Sequence, residues 1–160
     1  MKKVDNLTIE QQKKLIDFSI NNFNLIDNPE PEIITYFLKI TNYDITNFII
    51  IDNPEIIKDI CINAPQKVVN NRKRINATLN ELYEYNPKIL VYLDLVNYTK
   101  EPELLNTLSD DILLFIFDKY GAVNEEKAKN NPCYSLDKGI IDRCNTRVQR
   151  LYMRWLCDNL

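Results

Sequence analysis

The 160-residue chain has no histidine, only two glycines and no long aliphatic run. Each shortage removes a class of function. Without histidine there is no Ser-His or Cys-His pair, no His-ligated metal and no side chain that ordinarily titrates near neutral pH. Two glycines leave no room for a Gly-rich loop cradling a phosphate. The longest aliphatic stretches, Phe48–Ile51 and Ile112–Phe117, fall far short of the ~20 residues that a membrane-spanning helix needs. Residues Met1–Asn6 lead into polar sequence instead of an apolar signal core. The expectation is a cytoplasmic protein that is not an enzyme and carries no cofactor.

Cysteine chemistry is equally sparse. Cys61, Cys133, Cys144 and Cys157 contain no Cys-x-x-Cys pair. Zinc would need all four thiolates, or a carboxylate among its ligands, because histidine is absent. Reduced, mostly buried thiols and no metal are expected instead.

Neither sign of charge dominates. The formal net charge is −3, yet it alternates along the chain. Residues 1–64 carry six basic and ten acidic side chains, and residues 65–100 carry six and three. Residues 101–134 carry three and seven, and residues 135–160 carry five and three. A wholly basic nucleic-acid binder and a wholly acidic nucleic-acid mimic are both disfavoured, while local patches are allowed.

What the chain has in excess is Asn and Ile, 21 of each. Such a skew follows from AT-rich coding sequence and points to an AT-rich bacterium, a phage or a large DNA virus. The organisation is announced by proline. Pro31-Glu32-Ile33-Ile34, Pro54-Glu55-Ile56-Ile57, Pro87-Lys88-Ile89-Leu90 and Pro102-Glu103-Leu104-Leu105 repeat one device. Proline suits the first helical position, where its missing N–H costs nothing, and Glu just after it favours the positive end of the helix dipole. Asn53 and Asn86 stand where a side-chain oxygen caps free N–H groups. The pentapeptide Ile-Asp-Asn-Pro-Glu also occurs twice, at Ile26–Glu30 and Ile51–Glu55.

The apolar periodicity then predicts helices along the chain. A capping box at Thr8–Gln11 opens one that runs to residue 23. Others cover Glu32 to Thr41, Pro54 to Ala64, Gln66 to Tyr85, Pro87 to Val96 and Pro102 to Leu108. Asp44 caps a short piece through Ile50, unless Phe48–Ile51 is a strand. Ser109 caps a helix that Gly121 closes as a left-handed residue. After a polar stretch, Val123–Asn131, and Pro132, a last helix starts at Ser135 or Asp137 and runs almost to Leu160. The expected fold class is all-α, a compact irregular helical bundle of about eight helices forming a single domain over 1–160. Short solenoid-like stacking of helix pairs is the alternative.

The candidate site is the last helix. Arg143, Arg147, Arg150 and Arg154 fall at i, i+4, i+7 and i+11, one stripe of guanidinium groups suited to phosphates or carboxylates. Tyr152 and Trp155 belong to the inward side. The competing reading is a solvated face paired with Asp110, Asp111, Glu125 and Glu126. A second basic cluster contains Lys67, Arg72, Lys73 and Arg74, of which Lys67 and Arg74 share a face of the expected helix. Tyr83 and Tyr85 form either an exposed acidic–aromatic tip or a lid on the core.

These features suggest a non-enzymatic accessory protein, phage- or virus-like, that binds and inhibits or adapts a host protein such as a defence component. The expected partner has an acidic or nucleic-acid-binding surface. Direct nucleic-acid binding through the two basic segments is one alternative, and an oligomeric scaffold subunit is another. No membrane partner is expected.

Overall fold

The computed structural model describes residues 6–121, 136 and 138–160. All regular structure among them is helical, so the fold class is all-α. The α-helices are α1 (Ile9–Phe18), α2 (Pro31–Ile40), α3 (Pro54–Asn63), α4 (Pro65–Asn70), α5 (Leu79–Tyr85), α6 (Ile89–Tyr92), α7 (Pro102–Asn106), α8 (Asp110–Tyr120), α9 (Lys138–Asp142) and α10 (Thr146–Asn159). Short 3-10 turns at Ile20–Leu25, Ile45–Asn47, Arg72–Arg74 and Val96–Lys100 join several of them. The chain divides into two compact units, Met1–Thr78 and Leu79–Leu160.

Local chemistry sets most helix starts. Thr8 and Gln11 form the reciprocal capping box, with Gln11 N donating to Thr8 Oγ1 at 3.1 Å and Thr8 N to Gln11 Oε1 at 2.9 Å. The Asn53 side chain accepts from the Glu55 and Ile56 amides at 3.0 and 3.2 Å. Proline occupies the first turn of α2, α3, α4 and α7. The repeated pentapeptide does not repeat its conformation. Asn53 caps α3 at φ −74°, whereas Asn28 sits in the left-handed region at φ 46°, and α2 begins at Pro31 beyond its copy. Asn tolerates both states because its short polar side chain satisfies either backbone.

In the first unit, Phe23 stacks on Phe37 with centroids 4.1 Å apart, and Phe48 meets both edge-on at 5.6 and 6.0 Å. Ile33, Leu38, Ile60, Cys61 and Val68 are buried in the same unit. In the second, α8 and α10 pack together. Phe117, Tyr152 and Trp155 form an aromatic cluster, with centroids separated by 5.2 to 5.9 Å. The Trp155 indole donates to Asp118 Oδ1 at 2.7 Å, so both aromatics of α10 are core, as the inward pattern implied. Tyr83 is half-buried against this core.

The first helix ends at Phe18, where Ser19 turns extended before the 3-10 turn over Ile20–Leu25, instead of running to residue 23, and four other expectations fail as well. The helix expected over Gln66 to Tyr85 is broken. α4 stops at Asn70, a 3-10 turn carries Arg72–Arg74, and Ile75 makes a parallel bridge with Ile51 before α5 starts at Leu79. The bridge is closed by Ile51 N to Arg74 O at 2.7 Å and Asn76 N to Ile51 O at 2.9 Å. It also resolves residues 44–51: Asp44 caps a 3-10 turn through Asn47, Phe48 is extended, and the chain bends at Ile49 and reaches that single bridge at Ile51.

The second failure is the helix over Pro87 to Val96, of which only Ile89–Tyr92 forms. Ile89 and Leu90 face the core, whereas Val91 is 67% exposed. The third is the last helix, which is two helices with a break at Arg143–Asn145. Asn145 caps the second, accepting from Val148 N at 3.0 Å, while its own amide donates to Asn106 Oδ1 at 2.8 Å.

The fourth concerns caps at either end of α8. Gly121 has φ −81°, an ordinary extended value. Glycine is required there by proximity instead: a Cβ would lie 2.6 Å from Phe117 O and 2.8 Å from a ring carbon of Trp155. Ser109 stands at the N-cap position but makes no capping bond. Its hydroxyl is buried without a partner among the described residues, and its amide is held by Asn80 Oδ1 at 2.9 Å. The expected polar stretch Val123–Asn131, Pro132, the starts at Ser135 or Asp137, Cys133, Glu125 and Glu126 lie outside the described residues.

Candidate functional site

The break at Arg143–Asn145 divides the arginine row. Arg147, Arg150 and Arg154 remain on α10 at i, i+3 and i+7, within one face. Arg143 lies in the break itself, so it does not continue their stripe. All four arginines are exposed.

They are not equivalent. Arg147 is built into the fold. Its guanidinium pairs with Asp110 Oδ1 at 2.5 Å and donates to the carbonyl oxygens of Asn106 at 3.2 Å and Leu108 at 2.7 Å. Those carbonyls belong to the end of α7 and the turn into α8, where backbone acceptors have no helical partner. A guanidinium fork suits this task because it presents several donors in fixed geometry. The competing reading, in which the stripe pairs with acidic neighbours, therefore holds for Arg147 and Asp110.

Arg150 and Arg154 have no ion-pair or hydrogen-bond partner among the described residues. They stand one turn apart with the half-exposed Met153 beside them. Under Met153 lies a depression of about 370 Å³, lined by Ile141, Gln149, Tyr152 and Leu156 among others. Gln149 is held there by donating its side-chain amide to Asp142 O at 2.9 Å and Cys144 O at 3.0 Å.

The second basic cluster lies in the first unit and is not a helix face. Lys67 is on α4 and Arg74 is in the following 3-10 turn, so the expected i, i+7 relation is lost. Arg74 donates to Phe48 O at 2.6 Å. Arg72 donates to Ile75 O at 3.0 Å and also to Ala77 O. Lys67 is half-buried. The Asp44 carboxyl is held below its usual range, chiefly by the Thr46 hydroxyl, with the Lys67 charge contributing.

No family model, curated protein or solved structure matches the chain. The site therefore rests on its own chemistry. Among the described residues no group of Cys, Asp and Glu side chains converges to hold a metal ion, and no helix is long and apolar enough to cross a membrane. Cys61 is buried, and that burial pushes its thiol up to about 11. Burial raises the Cys144 thiol as well, whereas Cys157 is exposed.

Sequence reasoning missed the division of labour within the row of arginines. Spacing counts residues on a face, but only the fold brings Asp110 and the α7 carbonyls against Arg147. One local signal was available for the break: Asn145-Thr146 places a strong N-cap residue inside the expected helix.

Proposed function

We propose that this is a non-enzymatic protein that binds another macromolecule through the basic face of α10, with Arg150 and Arg154 as the contact residues. The observation that carries the reading is that these two guanidinium groups are exposed on one face and unneutralised by any described carboxylate. Free forks at one-turn spacing suit a partner presenting carboxylates, or a surface that itself receives phosphates. Met153 adds an apolar contact between them. The absence of histidine in the sequence supports binding over general acid–base catalysis at neutral pH. The AT-rich composition supports a phage or viral origin, with a host protein, such as a defence component, as the partner.

The test is a charge reversal that spares the fold. Arg150→Glu with Arg154→Glu should abolish capture of a stoichiometric, nuclease-resistant partner from native lysate and leave the helical circular dichroism unchanged. Arg147 is left intact because its loss would disturb the α7–α8 turn. Unchanged capture by the double variant refutes the α10 face. Loss of the captured material on nuclease treatment transfers the reading to nucleic acid, whose affinity would fall linearly with salt on a log–log scale.

A further inference from the structure

Ile49 is 92% exposed, although it lies between two well-anchored points of the first unit. On one side, Phe48 O accepts from Arg74 Nη1 at 2.6 Å. On the other, Ile51 is bridged to the Arg74–Asn76 backbone at 2.7 and 2.9 Å. The bend between these anchors turns Ile49 outward, and Ile50 beside it is also exposed. Neither residue spends its backbone N–H or C=O on a partner among the described residues. Such open backbone groups next to apolar side chains are what an extended peptide uses when it lies along a fold.

Ile49 forms the rim shared by two depressions. One, of about 640 Å³, is lined by Val69, Asn70, Asn71 and the run Arg72, Lys73, Arg74. The other, of about 470 Å³, is lined by Phe23, Phe48 and Ile50 among others. The cationic side has an uncompensated charge. Arg72 and Arg74 donate to carbonyl oxygens, which satisfy their hydrogen bonding but carry no negative charge. Lys73 is exposed. None of the three is in an ion pair among the described residues.

We infer that this surface docks an extended acidic segment of a partner protein, with apolar side chains on Ile49 and Ile50 and carboxylates on the Arg72–Lys73–Arg74 turn. The occupant follows from charge complementarity and from the apolar rim. Three adjacent positive charges select a polyanion, and two exposed isoleucines select one that carries aliphatic or aromatic side chains. Single-stranded nucleic acid fits less well. The isoleucines offer no aromatic face for a base, and the nearest ring, Phe48, is engaged with Phe23 and Phe37. The inference is independent of the α10 face, which belongs to the other unit.

Fluorescence anisotropy with labelled short peptides alternating Glu and Leu tests it, using Gln/Leu peptides and an oligothymidylate as comparators. The Glu/Leu peptide should bind the full-length protein, and the Gln/Leu peptide should bind at least about tenfold more weakly. Ile49→Asp and Lys73→Glu alter exposed side chains, and each should weaken binding by about tenfold or more with unchanged circular dichroism. Arg150→Glu with Arg154→Glu should leave the peptide affinity unaltered, which separates this surface from that of α10. Absence of binding, equal binding of the neutral peptide, or insensitivity to both single variants overturns the inference. Oligothymidylate binding as tight as the acidic peptide also overturns it, in favour of a phosphate track.

Discussion

Arg147 offers the sharpest test of the structural reasoning, because three arginines on one helix are assigned different roles. Replacing it with Ala removes one ion pair and two carbonyl hydrogen bonds. The ion pair is between side chains that are 43% and 62% exposed, so solvent screening reduces its worth to about 0–1 kcal/mol. The bonds to Asn106 O and Leu108 O matter more. A charged donor to a carbonyl contributes about 1.5–3 kcal/mol when desolvated, and partial exposure lowers that. A net loss of about 1–2 kcal/mol is expected, which displaces a urea midpoint by about 0.5–1 M. Trp155, the sole tryptophan, is buried in the same unit, so its fluorescence reports the unfolding of that unit. Asp110→Asn removes the charge and spares the carbonyl bonds, and should cost under about 1 kcal/mol. Arg150→Ala should stay within about 0.5 kcal/mol of the parent. If Arg147→Ala and Arg150→Ala unfold at the same urea concentration, the division between a structural and an available arginine is wrong. Equal losses for Arg147→Ala and Asp110→Asn would instead place the whole effect in the ion pair.

Two further outcomes follow from the packing. Gly121→Ala should destabilise the second unit by about 1–3 kcal/mol, read by the same fluorescence, because its Cβ would meet a backbone oxygen as well as the Trp155 ring; a neutral result would refute the close-approach argument. Alkylation with iodoacetamide near pH 8 should modify Cys157 quickly and Cys61 slowly in the folded protein, by mass spectrometry, since the Cys61 thiol is pushed up to about 11. A raised thiol pKa favours the folded state while protonated, so this contribution is present below the ordinary value of 9.0 and fades as pH climbs toward about 11. A Cys61 that reacts as fast as Cys157 would contradict its burial.

Helix starts were the most legible part of the chain, because they depend on residues within one turn of each other. The Thr8–Gln11 box, the Asn53 cap and the prolines opening α2, α3 and α7 needed no tertiary information. The all-α class followed from the same signals. Breaks were poorly legible. Val68, Val69, Ile75, Leu79 and Leu82 keep a helical apolar rhythm through residues 71–78, yet the backbone there is committed to a bridge with Ile51, remote in sequence. Periodicity records which side chains are to be buried, and a broken chain can bury the same set.

Gly121 makes the same point from the opposite direction. A glycine after a helix fits a left-handed cap, but here the ring of Trp155 occupies the space a Cβ would need. Sequence alone determined where most helices begin, much of what is buried, and that the usual histidine chemistry is missing. Tertiary structure decided which charges are available. Arg147 is consumed by a turn that only folding brings to it; Arg72 and Arg74 are held by backbone carbonyls that leave their charge uncompensated, as it is at Arg150, Arg154 and Lys73. Helix caps involve neighbours a few residues away, whereas the neutralisation of a charge depends on groups that the fold alone places beside it.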